Sequence, residues 1–326
     1  ADMARFARSG GEACAIAVRI GRAASGKDKV AFCGYHGWHD WYLAANLEDD
    51  DSLEGHLIPG LEPNGVPRAL QGTSLPFQYN DLDGLSRLLN DNPDVGVIYM
   101  EPQRSTPPEP GFLEGVRALA TKHGAVLIFD ECTSAFRRTL GGLHLHYGVE
   151  PDIATFGKTL GNGYAITAVI GRESVMQAAQ STFISSTFWT ERIGPTAALA
   201  TLEAMRTEDA PQRVHNIGVG VQERWRRVAT EHALAVSTGG LPALANFTVD
   251  GLEPLVVKTF VTSRMLEQGY LAGVNLYVSL AHTPEILDDY FEALTPVFGE
   301  IASFEPDELA DRLPDGPAQS GFRRLT

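Results

Sequence analysis

Two short apolar runs, Val95 to Met100 and Ala125 to Phe129, are each followed by a carboxylate, Glu101 and Asp130, with an amphipathic stretch from Phe112 to His123 between them. Strands separated by helices in this order predict parallel βαβ units. The alternation extends in both directions. A helix is expected from Glu12 to Ala24, where Ile16, Ala17, Ile20 and Ala24 fall at helical spacing, followed by a strand from Lys29 to Cys33. A helix from about Leu82 to Leu89 and strands at Ile153 to Phe156 and Ile166 to Ile170 add further units. The expected fold class is α/β, with a mostly parallel sheet flanked by helices. Ligands are expected beyond the carboxyl ends of the strands, where Glu101 and Asp130 sit.

A helix from about Gly194 to Met205 closes this pattern. Beyond Glu208 come a long amphipathic helix, strand-like runs near Leu234 to Ser237 and Leu244 to Val249, and two more helices. Domains are therefore expected at 1–205 and 206–326, the second a small α+β domain with a polar tail from Pro306 onward. The 326 residues, 44% of them hydrophobic, can fill a substantial core. No window offers eighteen uninterrupted apolar residues and the N-terminus has no apolar signal core, which points to the cytoplasm. A formal charge of −15 disfavours nucleic acid as a partner, and three widely spaced cysteines suggest neither a disulfide framework nor a Cys-based metal site.

Lys158 is the residue that points to chemistry. It is one of five lysines and follows an apolar stretch, ahead of the glycine-rich turn Gly161-Asn162-Gly163. Partial desolvation there would lower its pKa and make it nucleophilic, as a Schiff-base lysine requires. Asp130 ends an apolar strand that contains no Arg or Lys, so a cationic ligand such as a pyridinium nitrogen is a candidate partner, while a cap on the following helix is the alternative. Two unit charges about 4 Å apart gain roughly 4 kcal/mol at an effective dielectric near 20. Ser9-Gly10-Gly11 precedes a helix and could cradle a phosphate with a hydroxyl and open amides, although such turns also start many ordinary helices. Tyr35-His36-Gly37 follows a strand, where an aromatic ring could lie against a cofactor ring. His36, His39 and Asp40 could be read as metal ligands, but their spacing on a glycine-containing loop lacks helical geometry, and no metal is expected.

In this order these motifs resemble the class III aminotransferases of the fold type I pyridoxal phosphate enzymes, particularly the branch that includes glutamate-1-semialdehyde aminomutase. Ser9-Gly10-Gly11-Glu12-Ala13 is similar to the family's phosphate turn, Tyr35-His36-Gly37 to its ring-stacking motif, Phe129-Asp130-Glu131-Cys132 to its Asp-Glu-Val signature, and Gly157-Lys158 with Gly161-Asn162-Gly163 to its lysine motif. The resemblance implies a fold type I large domain and pyridoxal 5'-phosphate as cofactor. It implies that Lys158 carries the cofactor, that Asp130 pairs with the pyridinium nitrogen, that Tyr35 stacks on the ring and that Cys132 packs on its other face. His36, Glu101 and Thr133 would line the cofactor. Thr187 would reach the phosphate of the neighbouring subunit's cofactor, which implies a homodimer. Arg104 is read as a surface ion pair, with contact to a substrate anion as the alternative. The implied activity is ping-pong transfer of an amino group from a small-molecule donor to a ketone or aldehyde. A 2,1-aminomutase is the first alternative. The family's segment ahead of the phosphate turn is absent from this sequence, so an open substrate side is expected, and a chain that folds and dimerises with impaired catalysis is the second alternative.

Overall fold

The computed structural model describes residues 1–49, 51–56, 59–103 and 105–321. The chain divides into two compact units, Ala1–Glu208 with Gly321, and Asp209–Ser320. In the first unit, strands β1 (Met3–Ala7), β2 (Lys29–Cys33), β3 (Ser74–Pro76), β4 (Val95–Met100), β5 (Val126–Asp130), β6 (Ile153–Phe156) and β7 (Thr167–Gly171) form one sheet. Its order is β1-β7-β6-β5-β4-β2-β3. From β6 to β3 the neighbours run parallel, whereas β7 is antiparallel to both β6 and β1.

Side chains alternate across a strand, and here both faces are covered, which is why β4 and β5 read as unbroken apolar runs. Val97, Tyr99, Val126 and Ile128 pack in one cluster with helix α1 (Gly10–Ser25). Ile98, Met100, Leu127 and Phe129 pack on the opposite face with Leu85, Leu89, Val116 and Ala120, which belong to the Leu82–Asp91 and Phe112–His123 helices. By the same parity Asp130, two residues beyond Ile128, faces the α1 side.

Helix α1 starts where Ser9 caps it, its hydroxyl accepting the Glu12 amide at 3.4 Å, and it stops at Gly26, whose φ of 68° turns the chain into the left-handed region. Ala13, Ala17, Ile20 and Gly21 are among its buried residues. A Cβ on Gly21 would lie 2.8 Å from Val97 Cγ2, so a side chain there would push the helix off the sheet. This close approach helps fix where the N-terminus of α1 points.

Three elements differ from expectation. Strand β1 precedes α1, where the sequence shows no apolar run, because only Ala7 of its five residues is buried. The 34–81 segment, where the sequence gives no regular pattern, contains short helical turns and β3, a three-residue strand paired with β2. In the second unit β10 (Asn275–Tyr277) joins β8 (Val236–Gly239) and β9 (Leu244–Val249) in an antiparallel sheet ordered β10-β9-β8. Trp225, Phe247, Phe260 and Phe298 fill that unit's core. Leu309 and Leu313 from the tail are buried in the same core, so the polar-looking tail is anchored there. Among the described residues no helix is long and apolar enough to cross a membrane.

The Gly21 contact makes a measurable prediction. Gly21→Val overpacks the interface between α1 and β4 and costs about 1–3 kcal/mol, visible as a lowered thermal unfolding midpoint by calorimetry.

Candidate active site

At the carboxyl ends of β2, β5 and β6, beside the start of α1, lies a cavity of about 570 Å³. Ser9, Gly10, Gly11, Tyr35, His36, Asp130, Cys132, Thr133 and Lys158 all line it. Residues far apart in sequence therefore meet in one concave site of a size suited to a small-molecule ligand.

Asp130 is 4% exposed, and its carboxylate is surrounded by donors. Oδ2 lies 2.8 Å from His36 Nδ1 and accepts from Cys14 Sγ and Tyr99 OH at 3.5 Å. Oδ1 accepts from the Cys132 amide at 3.1 Å and the Thr155 hydroxyl at 3.0 Å. Burial opposes ionisation, but the hydrogen bond and charge of His36, with the Cys132 amide, outweigh it and hold the carboxyl at about 2. His36 Nε2 lies 3.1 Å from the Cys33 carbonyl. Both partners of the His36 ring are acceptors, so it can donate to both only when both nitrogens carry hydrogen. The strand supplies no cation, but α1, β4, β6 and the turn after β2 bring donors that the local sequence could not reveal.

The thiols beside it stay protonated. Burial, then the negative field of Asp130, pushes both Cys14 and Cys132 well above the ordinary thiol range.

Lys158 opens a short turn after β6 with φ at +44°, an unusual conformation for a residue with a side chain. Such outliers concentrate at functional sites because neighbouring structure must hold them. Its Nζ donates to Thr133 Oγ1 at 2.9 Å. The expected desolvation of this amine is not found. Lys158 is exposed because the turn directs its side chain to the cavity rather than into the apolar strand before it.

The turns on the other side are tightly packed. A Cβ on Gly37 would meet Gly11 Cα at 2.8 Å, so the Tyr35-His36-Gly37 turn and the first turn of α1 touch at two glycines. Tyr35, 39% exposed, sets its ring edge-on to Tyr42 with centroids 6.2 Å apart. Its backbone N–H donates to Glu101 Oε2 at 3.4 Å. Glu101 itself lies outside the 570 Å³ cavity and borders a second one of about 340 Å³ with His56 and Tyr79. Thr187 is exposed on the Thr187–Thr190 turn and is not part of the cavity wall. Arg104 lies outside the described residues. His39 stacks on Trp38 at 4.7 Å, and among the described residues no group of three or more His, Cys, Asp or Glu is placed to hold a metal ion.

Sequence reasoning missed Arg8, Cys14, Trp38 and Tyr164, which also line the cavity. Cys14 sits on the buried stripe of α1 and reads as core, whereas Trp38 and Tyr164 sit on loops without periodicity.

The family described as Aminotransferase class-III matches residues 1–269. The chain is 34% identical over 316 residues to the 3-aminobutyryl-CoA aminotransferase of Cloacimonas acidaminovorans (strain Evry), an alignment covering 92% of this chain and 72% of that protein. Its fold is similar to the Sphingopyxis sp. MTA144 FumI protein in its PLP internal aldimine form, with a TM-score of 0.81 at 22% identity, covering 95% of this chain and 74% of that one. It is also similar to an omega-transaminase from Sphaerobacter thermophilus, with a TM-score of 0.79 at 23% identity, covering 93% and 75% respectively. The protein belongs to the class III aminotransferases. It is a pyridoxal phosphate-dependent aminotransferase of fold type I, whose substrates are small amino and keto compounds.

The cavity fits this cofactor. It combines an accessible amine at Lys158, an ionised carboxylate at Asp130, an aromatic face at Tyr35 and open amides at Gly10 and Gly11.

The depressed acidity of Asp130 sets a pH dependence. A carboxyl held at about 2 in the folded chain, against roughly 3.9 when unfolded, stabilises the fold fully above the unfolded value and loses that contribution as pH falls toward about 2. In denaturant titrations of the cofactor-free protein, the stability difference between wild type and Asp130→Asn should be constant near neutrality and change between roughly pH 4 and 2.

Proposed function

We propose that Lys158 is the covalent attachment point of the cofactor and the base that moves the proton during amino transfer. The observation that supports this most directly is its exposed amine on a strained turn in the same cavity as Asp130 and the Ser9-Gly10-Gly11 turn. Bound pyridoxal phosphate supplies an electron sink for the bond that breaks at the donor carbon. Asp130 would pair with the ring nitrogen and favour its protonated form, its own charge maintained by His36. Tyr35 would cover one face of the ring and Cys132 would pack on the other, while the α1 amides would take the phosphate. Lys158 Nζ, with Thr133 Oγ1 as its resting partner, would be the base that takes the proton from the donor carbon and gives it back. The same base would serve both half-reactions, and ping-pong kinetics would follow.

Thr187 serves the phosphate of a second copy, and the working form is a homodimer in the cytoplasm. Supporting the dimer, Phe183, Ile193 and Leu199, near Thr187 in sequence, are 84%, 62% and 70% exposed, a density of apolar surface expected of an interface. The 34% relative is named for 3-aminobutyryl-CoA, which makes a 3-amino acyl thioester a suitable first donor to assay. An aminomutase gains no support from the comparisons.

Borohydride added to the cofactor-loaded protein should fix the cofactor onto the peptide carrying Lys158, read by mass spectrometry, and Lys158→Ala should lower transamination at least about 10²-fold, the scale of a lost general base. Label on another lysine would refute the assignment.

A further inference from the structure

Arg8 immediately precedes the Ser9-Gly10-Gly11 turn and lines the same cavity. Among the described residues lining it, Arg8 and Lys158 are the only Arg and Lys. If Lys158 is taken up by the covalent link, Arg8 is the one full side-chain cation left from these two. Its guanidinium lies over the Phe188 ring at 4.2 Å, which holds it in place without using its N–H groups. Its side chain makes no hydrogen bond to any described residue, and its Nε is buried without a partner. Glu191 Oε1 is 4.0 Å away, beyond hydrogen-bond reach, and the Glu191 carboxylate is already engaged by the Ile193 and Gly194 amides. A guanidinium offers five donors in a fixed fork suited to phosphate or carboxylate oxygens. A positioned but unbonded guanidinium at this point is therefore a preformed anion contact.

We propose that Arg8 clamps the cofactor's phosphate, supplying the full positive charge that the α1 amides lack. The inference rests on the reading of this cavity as the cofactor site. A carboxylate of the amino substrate has the same chemistry and is the competing anion.

Binding of pyridoxal phosphate and of pyridoxal, which lacks the phosphate, distinguishes these cases when followed by visible absorption in wild type, Arg8→Gln and Arg8→Lys. Arg8→Gln should weaken pyridoxal phosphate on the order of 10- to 100-fold, the loss of one charge-assisted contact, and leave pyridoxal unchanged. Arg8→Lys should recover part of the loss. Equal weakening of both compounds would mean a structural role and overturn the proposal. Unchanged cofactor affinity, with a raised KM for a carboxylate-bearing donor but not for an uncharged amine, would assign the guanidinium to substrate and overturn it as well. Wild-type protein that takes up neither compound would refute the cofactor reading and the Arg8 clamp with it.

Discussion

The ionised Asp130 carboxylate sits inside the protein, and the elements around it are placed by the cost of keeping it charged. An uncompensated buried carboxylate costs several kcal/mol, so each donor that reaches it is under strong constraint. Those donors come from five places: Cys14 on α1, His36 after β2, Tyr99 on β4, the Cys132 amide after β5 and Thr155 on β6. One carboxylate thus ties the helix, three neighbouring strands and the turn after a fourth into a single register. Burial and then the negative field of Asp130 lift the thiols beside it, because a second negative charge is resisted there.

Lys158 is placed by a different kind of constraint. Its backbone occupies the left-handed region, so the strand–turn connection rather than side-chain packing aims the amine. For the role proposed for this amine access matters more than desolvation, since an amine displaced by a substrate cannot be sealed in a core. Thr133, three residues beyond Asp130, receives the amine, which couples the exposed half of the site to the buried half through one short loop.

The sequence made the central strands and α1 legible because both sheet faces are buried, and β4 and β5 consequently show as continuous apolar runs ending at Glu101 and Asp130. It concealed β1 because an edge strand with one buried residue leaves no pattern, and β10 because three residues show no period. Ser9, Tyr35, Asp130 and Lys158 could be picked out by their places after strands or before a helix. The donors to Asp130 could not, since Cys14, Tyr99 and Thr155 look like ordinary core positions until the sheet order brings them together. Arg8 was hidden for another reason: it reads as a surface cation, and only the cavity wall and the Phe188 ring distinguish it.

The global charge of −15 and an anion-binding site are compatible because of distance. At physiological ionic strength charges are screened over about 8 Å, so carboxylates spread over the surface contribute little inside a cavity. A polyanion must cross the whole negative surface and meets its full field, whereas a small phosphate-bearing molecule senses mainly what lines the pocket. There the local balance is set by Lys158, Arg8 and the positive end of α1 against Asp130, whose charge is shared with His36 and the strand donors. A chain of strong net negative charge can therefore still hold a small phosphate, because the two fields act on different length scales.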